Sequence, residues 1–510
     1  MSRSSRTPRR PVSRAVAAVA GVAGVAVALA TVLAACGDDD GATDFDVEPA
    51  TRPDSDAAFG WTEFGGDRVQ TGSLEVPVDP DDPNAGTFDL FVARHLADED
   101  LRVGTLLVNP GGPGVGGSYL AIEADQYFSP TLVAHFDIVG WDPRGTGMSE
   151  PAIDCVDDYD RYYAGVDITP DDDAERDAAI RLAQEFQQGC VERSGEFLAH
   201  VGTNDSAADI DLLRQALGED EISYFGFSYG SELGGVWVTR YPDTVRAAVL
   251  DGAVDPAADA LEASIQQSQG FEQSLTSFLA WCSDSEDCAF RNGGDAEDAF
   301  DELMASVDAN PVPTEPGRPD LDLGVFVNGV VTSLYTDDLW RELGEALADA
   351  AAGDGSGLLA LHDLYFERSA DGTWADTLEA FQVIGCMDDP VRETPEEATA
   401  QLDAIRAAAP RIAPATVIWP SCDAFPAPEQ GRLGITGAGA GPVVVIGTTG
   451  DSATPLEGTR RMAEALEEGV LIVVDAEQHT GYGTDACVTD AVDAYLVAGT
   501  VPADGLTCGG

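Results

Sequence analysis

Ile222-Ser223-Tyr224-Phe225-Gly226-Phe227-Ser228-Tyr229-Gly230-Ser231 is the stretch on which the fold turns. Residues 222–225 read as a short apolar strand, and residues 231–240 have helical spacing. Between them lies G-x-S-x-G, at 226–230. A hydroxyl carried on so abrupt a strand-to-helix turn needs glycine on both sides, because the backbone is crowded there and the turn lifts the side chain clear of the sheet. An ordinary glycine-rich turn would look the same in isolation, so the surrounding chain must decide.

On either side of it, apolar strand-like runs occupy residues 87–93, 104–108, 136–140, 245–250, 442–446 and 470–474. Helical spacing fills the intervals. Residues 205–217 place Ile210, Leu213 and Leu217 on one face, with acids in the first turn and Gly218 as a stop, and residues 456–467 form a second such segment. Strand–helix alternation with fully apolar strands predicts an α/β architecture, a mostly parallel central sheet covered by helices on both faces. From about 256 to 433 the pattern changes to Ala, Asp, Glu and Leu at helical periods, for example 339–350 and 395–409. Sheet-type strands resume afterwards, so this stretch reads as a mainly helical insertion. The expected organisation is a core at 57–255, a cap at 256–433 and the rest of the core at 434–510.

The chemistry-bearing residues fall just past strand ends. Pro110-Gly111-Gly112-Pro113-Gly114 follows the 104–108 strand. Glycines there let main-chain N–H groups approach a substrate, and the amides of Gly112 and Tyr229 are the expected donors to an oxyanion. No Lys or Arg follows closely, as a phosphate-cradling loop would require. Asp451 stands after the strand 442–446, and His479 after the strand 470–474. The long interval from Ser228 to Asp451 accommodates the insertion, and the short one from Asp451 to His479 fits one helix and one strand. An acid and a base past late strands can converge on a serine past an earlier one. His479 would accept the Ser228 proton, and Asp451 would hold the imidazole tautomer. His95, His135, His200 and His362 lack that context.

These residues, with Trp141-Asp142-Pro143-Arg144-Gly145-Thr146-Gly147-Met148-Ser149, resemble the α/β-hydrolase fold. More narrowly, the chain is similar to the proline-iminopeptidase and tripeptidyl-aminopeptidase group of exported actinobacterial serine peptidases. The resemblance implies removal of short peptides from free N-termini through an acyl-enzyme on Ser228, with no metal or organic cofactor. An exopeptidase must recognise an ammonium group, which suits carboxylates near the cleft. Asp388 and Asp389, inside the cap segment, are the candidates. The alternative is a carboxylesterase or lipase using the same triad, because a fold does not choose between esters and peptides. A non-catalytic peptide-binding lipoprotein would not need the complete constellation.

Composition sets the boundaries of that reading. The 510 residues carry 91 Asp+Glu against 27 Lys+Arg, a formal net charge of −64. Such a polyanion repels nucleic-acid phosphates and anionic surfaces. Every base is Arg, which excludes a P-loop lysine, a Schiff-base lysine and a Ser-Lys dyad. Residues 1–35 read as an export signal: Arg3, Arg6, Arg9, Arg10 and Arg14, then a small apolar run, then Leu33-Ala34-Ala35-Cys36. Cys36 is the expected lipidation site and membrane anchor, and 36–56 the expected polar tether. Eight further cysteines remain: Cys155, Cys190, Cys282, Cys288, Cys386, Cys422, Cys487 and Cys508. An even number in an exported chain predicts disulfides, and the simplest of many pairings runs in chain order. A metal site is disfavoured, since no C-x-x-C occurs and the five histidines are scattered.

Overall fold

The computed structural model describes residues 43, 45–80, 82, 84–164, 169, 173–413 and 422–509. The expected signal and Cys36 lie outside them. A ten-stranded sheet organises the chain, in the order β1-β2-β3-β5-β4-β6-β7-β8-β9-β10. The strands are β1 (Thr62–Glu63), β2 (Val69–Pro77), β3 (Thr87–His95), β4 (Gly104–Asn109), β5 (Phe136–Trp141), β6 (Ile222–Phe227), β7 (Val245–Asp251), β8 (Val443–Thr448), β9 (Gly469–Val474) and β10 (Leu506–Cys508). From β5 through β10 every pairing is parallel, while β1, β2 and β3 add an antiparallel edge.

All six residues of β4, β5 and β8 are buried, which is why these strands read as unbroken apolar runs. Alternate side chains serve two cores. Leu107, Val139, Tyr224, Leu250 and Val445 meet the helices Thr203–Leu217 and Tyr229–Arg240 on one face. Leu106, Ile138, Phe225, Val249 and Ile472 meet the helix Ala486–Ala498 on the other.

Between β7 and β8 the chain is mainly helical, from Ala260–Asp284 to Pro395–Ala408. Much of it closes on a separate core containing Leu275, Phe278, Phe300, Phe326, Leu343 and Leu358. The helix Thr377–Asp388 instead packs into the sheet's own core through Ala380, Val383 and Ile384. Four disulfides join Cys155–Cys190, Cys282–Cys288, Cys386–Cys422 and Cys487–Cys508, the chain-order pairing.

The end of the expected tether departs from expectation. Arg52 grips Asp137 through Nε and Nη2, each at 2.7 Å, and the Ala50 amide donates to the Arg102 carbonyl oxygen. Phe45 lies edge-on to His135. Residues 45–56 are therefore part of the folded body. The physical reason is Asp137, a buried carboxylate that needs the charge of Arg52 as well as Arg102.

Candidate active site

Ser228, Asp451 and His479 each stand past the carboxyl end of a parallel strand, β6, β8 and β9. Ser228 follows β6 with φ 55° and ψ −125°, a conformation that costs a non-glycine residue energy. The turn is held by its surroundings. The Ser228 N–H donates to the Asp251 carbonyl oxygen at 2.8 Å, and Tyr229 begins the following helix. A side chain at Gly230 would place its Cβ 2.8 Å from the Asn109 carbonyl oxygen, so the second glycine of the motif is a matter of close approach.

His479 and Asp451 form a buried pair. The imidazole Nδ1 donates to both carboxylate oxygens of Asp451, at 2.8 and 3.0 Å. Asp451 also accepts the N–H groups of Ala453 and Thr454 at 3.0 and 2.8 Å, and the Thr454 hydroxyl at 3.0 Å. A carboxylate so engaged cannot rotate away from the ring. Burial pulls the His479 pKa down, but the charge and hydrogen bond of Asp451, with the charge of Asp251, outweigh it and leave it raised. Nε2 of His479 is buried, with no hydrogen-bond partner among the described residues.

The glycine loop after β4 leans on the serine turn. Gly111 has φ +100°, and a Cβ there would lie 2.8 Å from the Ser228 Cβ and 3.0 Å from the Tyr229 nitrogen. Only glycine permits that contact. The Tyr229 N–H belongs to the first helical turn, where main-chain donors have no intrahelical acceptor. Gly112 is the next residue of the same loop. The Trp141–Ser149 segment is structural: Asp142 accepts the N–H groups of Ser118 and Met148, and Arg144 is paired bidentately with Asp209.

Asp388 and Asp389 separate. Asp388, at the end of the cap helix Thr377–Asp388, accepts the Thr203 N–H at 2.7 Å and its hydroxyl at 2.5 Å, and Thr203 in turn meets the Tyr229 phenol. Burial, with Glu232 nearby, pushes the Asp388 carboxyl up to about 7. Asp389 accepts the Val391 N–H in a local turn at 2.8 Å. That bond is local, and among the described residues none joins Asp389 to the Thr203–Tyr229 cluster.

Two family models match the chain, one described as alpha/beta hydrolase fold over residues 104–292 and one as TAP-like protein over 410–508. Serine protease Hip1 of Mycobacterium tuberculosis is 34% identical over 456 residues, covering 86% of each chain. The chain belongs to the TAP-like α/β-hydrolases. Carboxylesterase B of M. tuberculosis is 34% identical over 453 residues, 86% of this chain and 85% of its own. Tripeptidyl aminopeptidase of Streptomyces lividans is 31% identical over 458 residues, 86% and 83%. This TAP-like α/β-hydrolase is a serine hydrolase.

Sequence reasoning missed several residues of the hydrolase's site. Asp251 and Thr454 contact the serine turn and the Asp451–His479 pair. Tyr335, from the cap, accepts the His479 main-chain N–H. Glu232, one turn after Ser228, is paired with Arg432 beside Asp388. Only Asp251 left a trace, as an acid closing an apolar strand just before a glycine.

Proposed function

We propose that the protein is an exported peptidase that removes short peptides from free N-termini through an acyl-enzyme on Ser228. His479 Nε2 takes the Ser228 proton as Oγ attacks the scissile carbonyl and later returns it to the leaving amine. Asp451 keeps the Nδ1–H tautomer and stabilises the imidazolium. The amides of Gly112 and Tyr229 receive the oxyanion. Water then repeats the cycle on the ester, releasing the peptide and restoring the serine. The observation that carries this reading is the Asp451–His479 pair. With Nδ1 held by a carboxylate, Nε2 is the ring nitrogen left for proton transfer, and it has no hydrogen-bond partner among the described residues.

Asp388, half-buried and joined to Tyr229 through Thr203, is the proposed receptor for the substrate ammonium group. Two relatives named as serine protease and tripeptidyl aminopeptidase support the peptide assignment. The relative named Carboxylesterase B favours a second reading, ester hydrolysis by the same residues. Export is supported by four disulfides, which persist in oxidising compartments. Lipidation at Cys36 is proposed from the sequence alone.

The test is a substrate panel of free and N-acetylated tripeptidyl anilides beside p-nitrophenyl esters, together with a fluorophosphonate probe. Labelling of the wild type and not of Ser228→Ala is expected. Preferred turnover of acetylated peptides would remove the amine-recognition reading, and turnover of esters alone would favour the second.

A further inference from the structure

Asp251, the last residue of β7, has no role in the steps above, yet it touches both halves of the site. It is completely buried. Its carbonyl oxygen accepts the Ser228 N–H at 2.8 Å. Its carboxylate accepts the N–H of Gly481 on one oxygen and of Tyr482 on the other, each at 2.8 Å. One residue thus holds the nucleophile's main chain on one side. On the other it holds the loop immediately beyond the imidazole.

The neighbouring geometry agrees. A Cβ at Gly252 would lie 3.1 Å from His479 Cε1 and 3.2 Å from the Thr454 hydroxyl oxygen. The His479 loop also needs an anchor. Thr480 has φ 71°, an outlier for a β-branched residue, and such a conformation persists only where its surroundings over-determine it. Two main-chain donors on one buried carboxylate supply that constraint.

From these contacts we infer that Asp251 is a positioning residue for the general base: it fixes the His479 loop against the Ser228 turn, and its negative charge joins that of Asp451 in favouring the imidazolium. The inference rests on the roles given above to Ser228 and His479. The charged and titratable groups facing Asp251 are His479 and Tyr482 from the loop after β9 and Asp451 from the loop after β8; the Tyr482 phenol donates to Asp493. Burial pushes the Asp251 carboxyl up to about 7, against the pull of the two amides and of His479.

Asp251→Asn keeps the shape, removes the charge and turns a donor toward one of the two N–H groups. Fluorophosphonate labelling of Ser228 and kcat/KM are expected to fall about tenfold. The acid limb of both pH profiles should move down by about one unit, because the imidazolium loses a counter-charge. Labelling slowed equally at every pH, with the limb unmoved, would reduce Asp251 to a structural residue and overturn the inference. A wild type that is not labelled at all refutes the reading of Ser228 instead. Should the Asn variant not fold, hydrogen exchange on the wild type decides. The Gly481 and Tyr482 amides should exchange about a hundredfold more slowly than that of Gly483. Equal rates would overturn the clamp.

Discussion

The main-chain N–H of His479 donates to the carbonyl oxygen of Tyr335 at 2.8 Å, so the loop carrying the imidazole is hydrogen-bonded to the cap. Beside this bond Thr336 and Gln478 form an isolated antiparallel bridge, and the Tyr335 ring lies edge-on to the imidazole at 5.7 Å. The cap is a wall of the site. Tyr335→Ala should lower kcat about fivefold, from an aromatic contact of about 1 kcal/mol. The loss should be equal for small esters and for peptides. A loss confined to peptides would make Tyr335 a substrate contact only.

Thr454 stands beside both members of the pair, with its hydroxyl 3.0 Å from the second carboxylate oxygen of Asp451 and 3.3 Å from Nδ1 of His479. Thr454→Val keeps the volume and removes that donor. The expected result is a fall in kcat of about fivefold with little change in KM, since the lost bond of about 1 kcal/mol orients the acid and does not touch substrate.

Asp388 is poised to titrate near neutrality, where an ammonium partner would bring its pKa down again. Asp388→Asn should raise KM for free tripeptidyl substrates about tenfold or more and leave N-acetylated ones nearly unchanged. Equal effects on both, measured side by side, would move Asp388 from ligand contact to support of Thr203.

The cap carries a second pH dependence. Burial pushes Glu379 up to about 8, although it accepts the N–H groups of Cys155 and Val156. A carboxyl whose folded pKa lies above its unfolded value contributes stability below the unfolded pKa, about 4.5, and loses it as pH rises through the folded one. Thermal unfolding should therefore show Tm falling between pH 5 and 8, and Glu379→Gln should flatten that slope. An unchanged slope would mean that Glu379 is ionised in the folded state.

Seven of the ten strands were legible in the sequence because they are buried on both faces or paired on both edges. The residues at their ends came with them: Ser228, Asp451 and His479 are each fixed by the strand that precedes them. What escaped has a physical reason. β1 and β10 span two and three residues, too short for any period, and β2 is mostly half-exposed with Gly72 in its middle. The Thr203–Asp388 and Tyr335–His479 contacts join residues far apart in the chain. Nothing local announces them, because they exist only once the cap has folded against the sheet. Helix Tyr229–Arg240 begins before the sequence pattern does, since the serine's own dihedrals start it.

Arg52 meets Asp137 near the beginning of β5, and Thr43 donates to Thr131 just before that strand. The polypeptide thus joins the body underneath, one strand length from the serine, roughly 20 Å for six residues. The first described residues are thus tied down at the end of the sheet opposite Ser228, and the approach to the serine is left to the cap and the strand-end loops.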